Sequence, residues 1–351
     1  MHNRFKYLGI LILFVSLWMQ SCAIKRTLNI DLLKPAPATF PNYTNVAITN
    51  RSILDSASFF RMYPNNLLTS RFPAIPNIIS NDVLSSFYDK MSKFPRLQLS
   101  EINPLPIAPR SAYKPNALTE ADIIKLAEEN PKLDAVLSLE GVKYEIYSYG
   151  NVFKDQILLT NGKVIDIPIF NSNYTYKIYT YWRLYDLKNK TIAMEKDFNA
   201  EMPFYYDGYS MYDGKGYGNG EQSFQRAALY TGDRFASSYL PYWETFKRDI
   251  FQGENQTLLA TADAAELGQW LDAAEQWEIY LAKKKPGKAE KARIYYNLSV
   301  AYEVLGKVSY ARELCENAYK LTNRKFYLQR AAELKRREAD IEMLNIQFYG
   351  K

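Results

Sequence analysis

The sequence predicts an α+β protein: a layered α/β domain with a mixed sheet and a long hairpin, followed by an α-helical repeat domain. Three observations carry the prediction. Between residues 46 and 149, strand-length apolar runs alternate with helical periodicity, in the order strand, helix, strand, helix, strand that builds a layered sheet. Asn161-Gly162 lies between two apolar runs and predicts a two-residue hairpin, a turn whose central positions both need positive φ. The carboxy-terminal segment matches itself at a spacing of 38 residues, pairing Gly268 with Gly306, Ala273 with Ala311 and Trp277 with Cys315.

Residues 1–21 have the form of a processed signal, with Arg4 and Lys6 ahead of an apolar run at 8–19. That run is too short to span a bilayer, for which about 20 apolar residues are needed. Leu17-Trp18-Met19-Gln20-Ser21-Cys22 resembles a bacterial lipobox, in which a small residue precedes the cysteine that is acylated and becomes the first residue. Met19 and Gln20 depart from the commonest pattern, and looser boxes ending in Ser-Cys are familiar in Bacteroidota. The resemblance implies lipid attachment at Cys22; the alternative is a plain secreted or uncleaved segment. Ala23-Ile24-Lys25-Arg26 lacks the acidic cluster typical of surface export in those lipoproteins. The expected location is therefore the outer membrane, lipid-anchored and facing the periplasm. Lys25 and Arg26 would lie next to the anchor, either at anionic headgroups or solvated in the linker.

Residues 22–45 are expected to form an extended tether, since Pro35, Pro37 and Pro41 oppose a helix. The α/β domain then runs over 46–221. Val46, Ala47 and Ile48 open a short strand. Val83, Leu84, Phe87, Met91 and Phe94 recur at helical spacing up to Pro95, and 96–101 alternates as a strand. Thr119-Glu120-Ala121-Asp122 has the form of a capping box, with Leu118 and Ile123 placed as a hydrophobic staple, and opens a helix ending before Pro131. Residues 133–140 form a buried strand that continues, exposed, to Tyr149. After the hairpin, Tyr176, Ile178, Thr180, Trp182 and Leu184 share one face of a strand over 174–186. Residues 187–190 turn it back into a strand over 191–202. A Tyr- and Gly-rich loop at 203–221 ends the domain.

Helices are expected at 222–239 and 242–251, within a docking segment 222–254, and the repeats with a terminal helix occupy 255–345. The second repeat resembles a tetratricopeptide repeat, with Tyr295, Leu298, Ser299, Tyr302, Gly306, Ala311 and Ala318 at the motif's spaced positions. Ser299 replaces the usual glycine, and Asn323 stands where proline is common. The first repeat keeps Gly268, Trp270, Ala273 and Trp277. An insertion at Lys283-Lys284-Lys285-Pro286-Gly287 accounts for its extra length.

His2 falls in the signal, so the mature chain has no histidine, which removes Ser-His-Asp and Cys-His catalysis and imidazole metal sites. Cys315 then has no internal disulfide partner. The formal charge of +6 falls to +4 once Arg4 and Lys6 are removed, too little and too dispersed for nucleic acid. Gly214, Gly216, Gly218 and Gly220 alternate, which matches neither G-x-G-x-x-G nor a phosphate loop. No metal, cofactor or catalytic residue is expected. Of the 29 tyrosines, 13 lie between Tyr144 and Tyr217. Tyr205, Tyr206, Asp207, Tyr209, Tyr212, Asp213 and Tyr217 are the candidate ligand-binding residues, because aromatic faces with short carboxylates suit sugar rings or an extended peptide. A loop packed over the sheet is the other reading. Asp207, Asp213 and Glu221 offer carboxylates that a glycosidase would need in pairs.

Taken whole, the chain resembles uncharacterised Bacteroidota lipoproteins that join an α/β domain to carboxy-terminal tetratricopeptide repeats. The α/β part is also similar, at the level of fold, to envelope-assembly lipoproteins of the curli-secretion and penicillin-binding-protein-activator type, which transfers no function. The resemblance implies a membrane-anchored, non-enzymatic module with a protein partner in the envelope. The alternative is a glycan-binding lipoprotein using the Tyr-rich loop, with weak glycosidase activity at most.

Overall fold

The computed structural model describes residues 24–53, 75–102, 113–208, 220–253 and 255–350, and the chain divides into two compact units. One unit comprises 36–240 with the last residues from Gln347 on. The other comprises the amino-terminal segment up to Pro35 with 241–346. The first strand, β1 (Lys25–Lys34), therefore belongs with the carboxy-terminal helices.

The larger unit is a mixed sheet between helices. β2 (Asn45–Asn50) is followed by α1 (Ile75–Met91), β3 (Gln98–Glu101), α2 (Glu120–Glu129) and β4 (Ala135–Leu158). β5 (Val164–Asp186), β6 (Thr191–Gly208) and α3 (Gly220–Ser237) complete it. The strand order is β3-β2-β4-β5-β6, with β2 parallel to both β3 and β4 and the remaining pairs antiparallel. Alternate residues of a strand point to opposite faces. Val46, Ile48, Leu137, Leu139, Trp182 and Leu184 accordingly pack with Val83 and Phe87 of α1 and Phe235 of α3. Ala47, Val136 and Tyr185 pack with Ile123 and Leu126 of α2 on the other face. Trp182 stacks on Phe235 at 4.6 Å. Gly232 allows α3 to approach α1, where a Cβ would collide with the Val83 carbonyl.

The expected capping box is present: Thr119 Oγ1 accepts from the Asp122 N–H at 3.2 Å, and the Asp122 carboxylate accepts from the Thr119 N–H at 3.0 Å. Tyr176, Ile178, Thr180, Trp182 and Leu184 are all buried on one face of β5. The first helix, expected behind Ser80-Asn81-Asp82, begins earlier, at Ile75, and ends at Met91. The hairpin at Asn161-Gly162 also differs in detail. Leu159 pairs with Lys163, the Gly162 N–H bonds the Leu159 carbonyl, and of Asn161 and Gly162 only Gly162 has positive φ, at 79°. This is the three-residue hairpin, in which a single glycine at its end supplies the left-handed position. The Tyr- and Gly-rich segment is not a loop from its start, because Pro203 to Gly208 continue β6.

In the smaller unit, β1 pairs antiparallel with β7 (Tyr242–Phe251) over ten residues in unbroken register. This corrects two expectations, a tether over 22–45 and a helix over 242–251. The prolines begin only after the strand, and Leu28, Ile30 and Leu32 alternate inward and are buried. Aromatic and β-branched residues of 242–251, among them Tyr242, Trp243, Thr245 and Phe246, suit a strand better than a helix. Of the expected docking helices only the first is helical, and it packs in the α/β core.

Five helices follow: α4 (Gln256–Glu266), α5 (Trp270–Lys284), α6 (Lys288–Val304), α7 (Val308–Thr322) and α8 (Lys325–Tyr349). The internal repeat is visible in the backbone. Gly268 and Gly306 both stand at φ 78° in the tight turns between α4 and α5 and between α6 and α7. Ala273 and Ala311 are fully buried behind them, as are Trp277 and Cys315 one helical turn further on. Leu298, Tyr302 and Ala318 are buried, and the half-buried Tyr295 packs against the same core. Asn323 ends α7 at φ 53°, a conformation closed to the proline common at that position.

Two polar groups seat the β1–β7 ribbon on the helices. The Asn297 amide of α6 accepts from the Phe251 N–H and donates to the Phe251 carbonyl, both at 2.7 Å, as a neighbouring strand would. The buried Glu303 carboxylate receives Arg248 of β7 at 3.1 Å and Arg330 of α8.

Candidate functional site

Three places in the fold gather polar or exposed side chains. The first is the end of the parallel strands. With β2 between β3 and β4, the chain reverses its progression across the sheet, and the carboxyl end of β2, level with Leu139 of β4, is the kind of point where open α/β sheets often bind ligands. Arg51 follows β2, and Glu140 sits at a bulge in β4 between Leu139 and Gly141. Arg51 donates to both Glu140 oxygens at 2.9 and 2.7 Å, Tyr185 donates to Glu140 at 2.9 Å, and Arg183 lies 3.6 Å from the same carboxylate. Burial, followed by the neighbouring Glu140 charge, pushes the Tyr185 phenol up to about 12. Glu140 has no solvent contact. The cluster is buried and internally paired, so it acts as a structural brace of the sheet.

The second place is the solvent face of β4, β5 and β6. Cross-strand register arranges it in rows: Lys143, Tyr179, Asn199; then Glu145, Lys177, Glu201; then Tyr147, Thr175, Pro203. Glu145 accepts from Tyr147 at 2.5 Å, Tyr179 at 2.6 Å and Lys143 at 3.3 Å. These bonds, that from Tyr147 first, hold its carboxyl at about 2. The Lys143 ammonium stands 4.4 Å from the centre of the Tyr179 ring and Lys177 pairs with Glu201 at 2.8 Å. A carboxylate held this low stays ionised and is a poor general acid. The face offers rings, amides and fixed charges, the components of a binding platform.

Tyr205 lies on the same face at 76% exposure, opposite Asn173. Tyr206 and Asp207 follow it in β6, opposite Ser172 and Asn171. Tyr209, Tyr212, Asp213 and Tyr217 lie outside the described residues, as does Cys22. Glu221 falls in the first turn of α3. Beyond Phe170, where β6 ends its pairing, β4 and β5 continue as a two-stranded arm. The arm exposes Val152 (59%), Phe153 (55%), Leu158 (71%) and Val164 (53%). Sequence reasoning placed the hairpin and missed this apolar surface, although the apolar runs on both sides of Asn161-Gly162 signalled it.

The third place is in the smaller unit, where a cavity of about 930 Å³ opens between the ribbon end and helices α4 and α6. Cys315, buried nearby in the repeat core, donates to Ser299 at 3.1 Å, and burial pushes its thiol up to about 11. A thiol so placed is packing material and a poor nucleophile. Among the described residues no cluster of His, Cys, Asp and Glu is placed to hold a metal ion. Among them, too, no helix is long and apolar enough to cross a membrane.

Comparison with known proteins gives two family matches: a domain of unknown function (DUF8603) over residues 43–251 and a second (DUF6340) over 260–347. No curated protein matches the chain. Among solved structures, the hypothetical protein CT253 from Chlamydia trachomatis is 13% identical with a TM-score of 0.24, over 56% of this chain and 97% of that one. A dodecameric PelC variant from Paraburkholderia phytofirmans is 10% identical with a TM-score of 0.20, over 60% and 97%. Scores this low carry no argument.

Proposed function

The chain belongs to the DUF8603 family, and we propose that it is a membrane-anchored lipoprotein of the cell envelope that acts as a non-enzymatic protein–protein interaction module. In this reading Cys22 is acylated, the protein faces the periplasm from the outer membrane, and the helix pairs are tetratricopeptide-like. The apolar arm carries the reading. Four large apolar side chains stand more than half exposed on a two-stranded ribbon, a form that is marginally stable in water by itself. A protein partner that covers Val152, Phe153, Leu158 and Val164 removes that surface from water.

The test is affinity capture of the tagged lipoprotein from envelopes with mass spectrometry. The wild-type chain is expected to recover a reproducible partner, and a chain with Phe153→Ser and Leu158→Ser is expected to lose it. No reproducible partner, or one retained by the double variant, overturns the reading. Anchoring is tested separately: Cys22→Ala should release the protein from membranes.

A second reading, glycan binding, draws on the exposure of Tyr205 beside Asn173. Replacing Tyr205, Tyr206 and Tyr209 by Ala should then abolish retention on immobilised envelope glycans and leave partner capture intact.

A further inference from the structure

Lys25 and Arg26, the cations closest to Cys22 in sequence, are already engaged. Lys25 pairs with Asp249 at 3.4 Å, and Arg26 bridges Asp263 and Glu266 at 2.6 Å each. A second cationic group is not. The segment Lys283-Lys284-Lys285-Pro286-Gly287-Lys288-Ala289-Glu290-Lys291-Ala292-Arg293 holds six cations and one acid, and that acid, Glu290, accepts from the Tyr280 hydroxyl at 2.9 Å. Lys283, Lys284, Lys285 and Lys288 are exposed, and no ion pair joins any of the six to an acid among the described residues. They occupy the end of α5, the connection to α6, and the first turns of α6.

This connection opens on the cavity of about 930 Å³, whose walls include Lys288, Arg293 and Ile294 of α6, Leu258 of α4, Phe251 of β7 and Ile24. Ile24 follows Cys22 by two residues. Two residues of extended chain reach at most about 7 Å. The Debye length at physiological ionic strength is about 8 Å. An acyl anchor on Cys22 therefore holds the Ile24 wall of the cavity, which Lys288 and Arg293 also line, within one screening length of the bilayer.

We propose that the basic α5–α6 connection, with Lys288 and Arg293 at the cavity mouth, is a second membrane contact that binds the phosphates of anionic phospholipid headgroups. The site rests on the acylation of Cys22 for its place against the bilayer. An acylated Cys22 already holds the chain at the membrane. The contribution of the lysines is orientation: they turn this face of the smaller unit to the headgroups.

The test uses the mature chain carrying Cys22→Ala, so that no acyl group contributes, in co-sedimentation with vesicles of phosphatidylcholine alone or mixed with phosphatidylglycerol. Binding is expected only to the anionic vesicles and is expected to fall with added salt. Lys283→Gln, Lys284→Gln and Lys285→Gln together should weaken it roughly a hundredfold, at about fivefold for each charge near the surface. Lys188→Gln and Lys190→Gln at the β5–β6 turn, together with Lys196→Gln in β6, should leave it unchanged. Absence of binding, binding unaffected by the first triple variant, or capture of acidic peptides without vesicle binding overturns the proposal. Membrane fractionation of wild type and Cys22→Ala in cells reports on acylation alone, so failure of the anchor is distinguishable from failure of the basic site.

Discussion

In the five-stranded sheet, β4, β5 and β6 follow one another through turns of a few residues, whereas in the ribbon Lys25 of β1 meets Asp249 of β7 across 224 residues of sequence. The two sheets are stabilised accordingly. Local strands add one ladder bond after another and grow far enough to project beyond their neighbours as the exposed arm. The ribbon must close a long loop for ten paired residues, an entropic cost that comes before any contact repays it. Beside the packing of Leu28, Ile250 and Phe251 in the helical core, it is held by individual polar clamps, Asn297 on the Phe251 backbone and Glu303 on Arg248. The difference teaches that the sheet is resilient outside its buried brace and the ribbon is sensitive at single residues.

The largest expected effect tests that exception. Glu140→Ala leaves Arg51 and Arg183 buried beside a lost carboxylate and should cost about 3–5 kcal/mol in urea unfolding. A loss below about 1 kcal/mol would mean that the brace carries no weight. Asn297→Ala strips partners from two buried backbone groups of Phe251 and should cost about 3 kcal/mol. Amide exchange should accelerate in β1 and β7 together while β4 to β6 stay protected. Labelling of the buried Cys315 thiol should quicken in parallel; equal acceleration in both sheets would erase the distinction. Gly306→Ala, at φ 78° with open space around it, should cost about 1 kcal/mol from backbone conformation alone.

The smallest effect concerns the sheet's solvent face. Glu145 titrates at about 2 in the folded chain against an ordinary 4.5, so its bonds stabilise the fold above about pH 4.5 and are lost as pH falls toward 2. Tyr147→Phe and Tyr179→Phe together should return the Glu145 carboxyl toward 4.5 in an NMR titration, with little change in stability at neutral pH. An unmoved titration would show that the two phenols do not hold it.

The same contrast governs what the sequence discloses. Thr119 with Asp122, the inward face of Tyr176 to Leu184, and the Gly268 and Gly306 turns are local patterns, and each is found where its spacing predicts. The ribbon is invisible because its pairing is non-local and half of β7 is exposed, which leaves its residues little alternation to display. The candidate surfaces divide likewise. The tyrosine excess and the lysine insertion are plain in the sequence, and Tyr205 does lie exposed. The Glu145, Tyr147 and Tyr179 knot depends on cross-strand register, and the nearness of Lys288 to Ile24 depends on how α4, α6 and the ribbon pack.

The pairing of β1 with β7 also sets a schedule for synthesis. At the usual elongation rate of about 5–20 residues per second, the separation of 224 residues from Lys25 to Asp249 takes roughly eleven to forty-five seconds to synthesise. Asn297 and Glu303, which seat the ribbon, come later still. Throughout that interval Leu28, Ile30 and Leu32 present an unpaired apolar strand edge. The first strand translated is thus among the last to find its partner, and it is the segment of this chain that a holding chaperone would have most reason to cover.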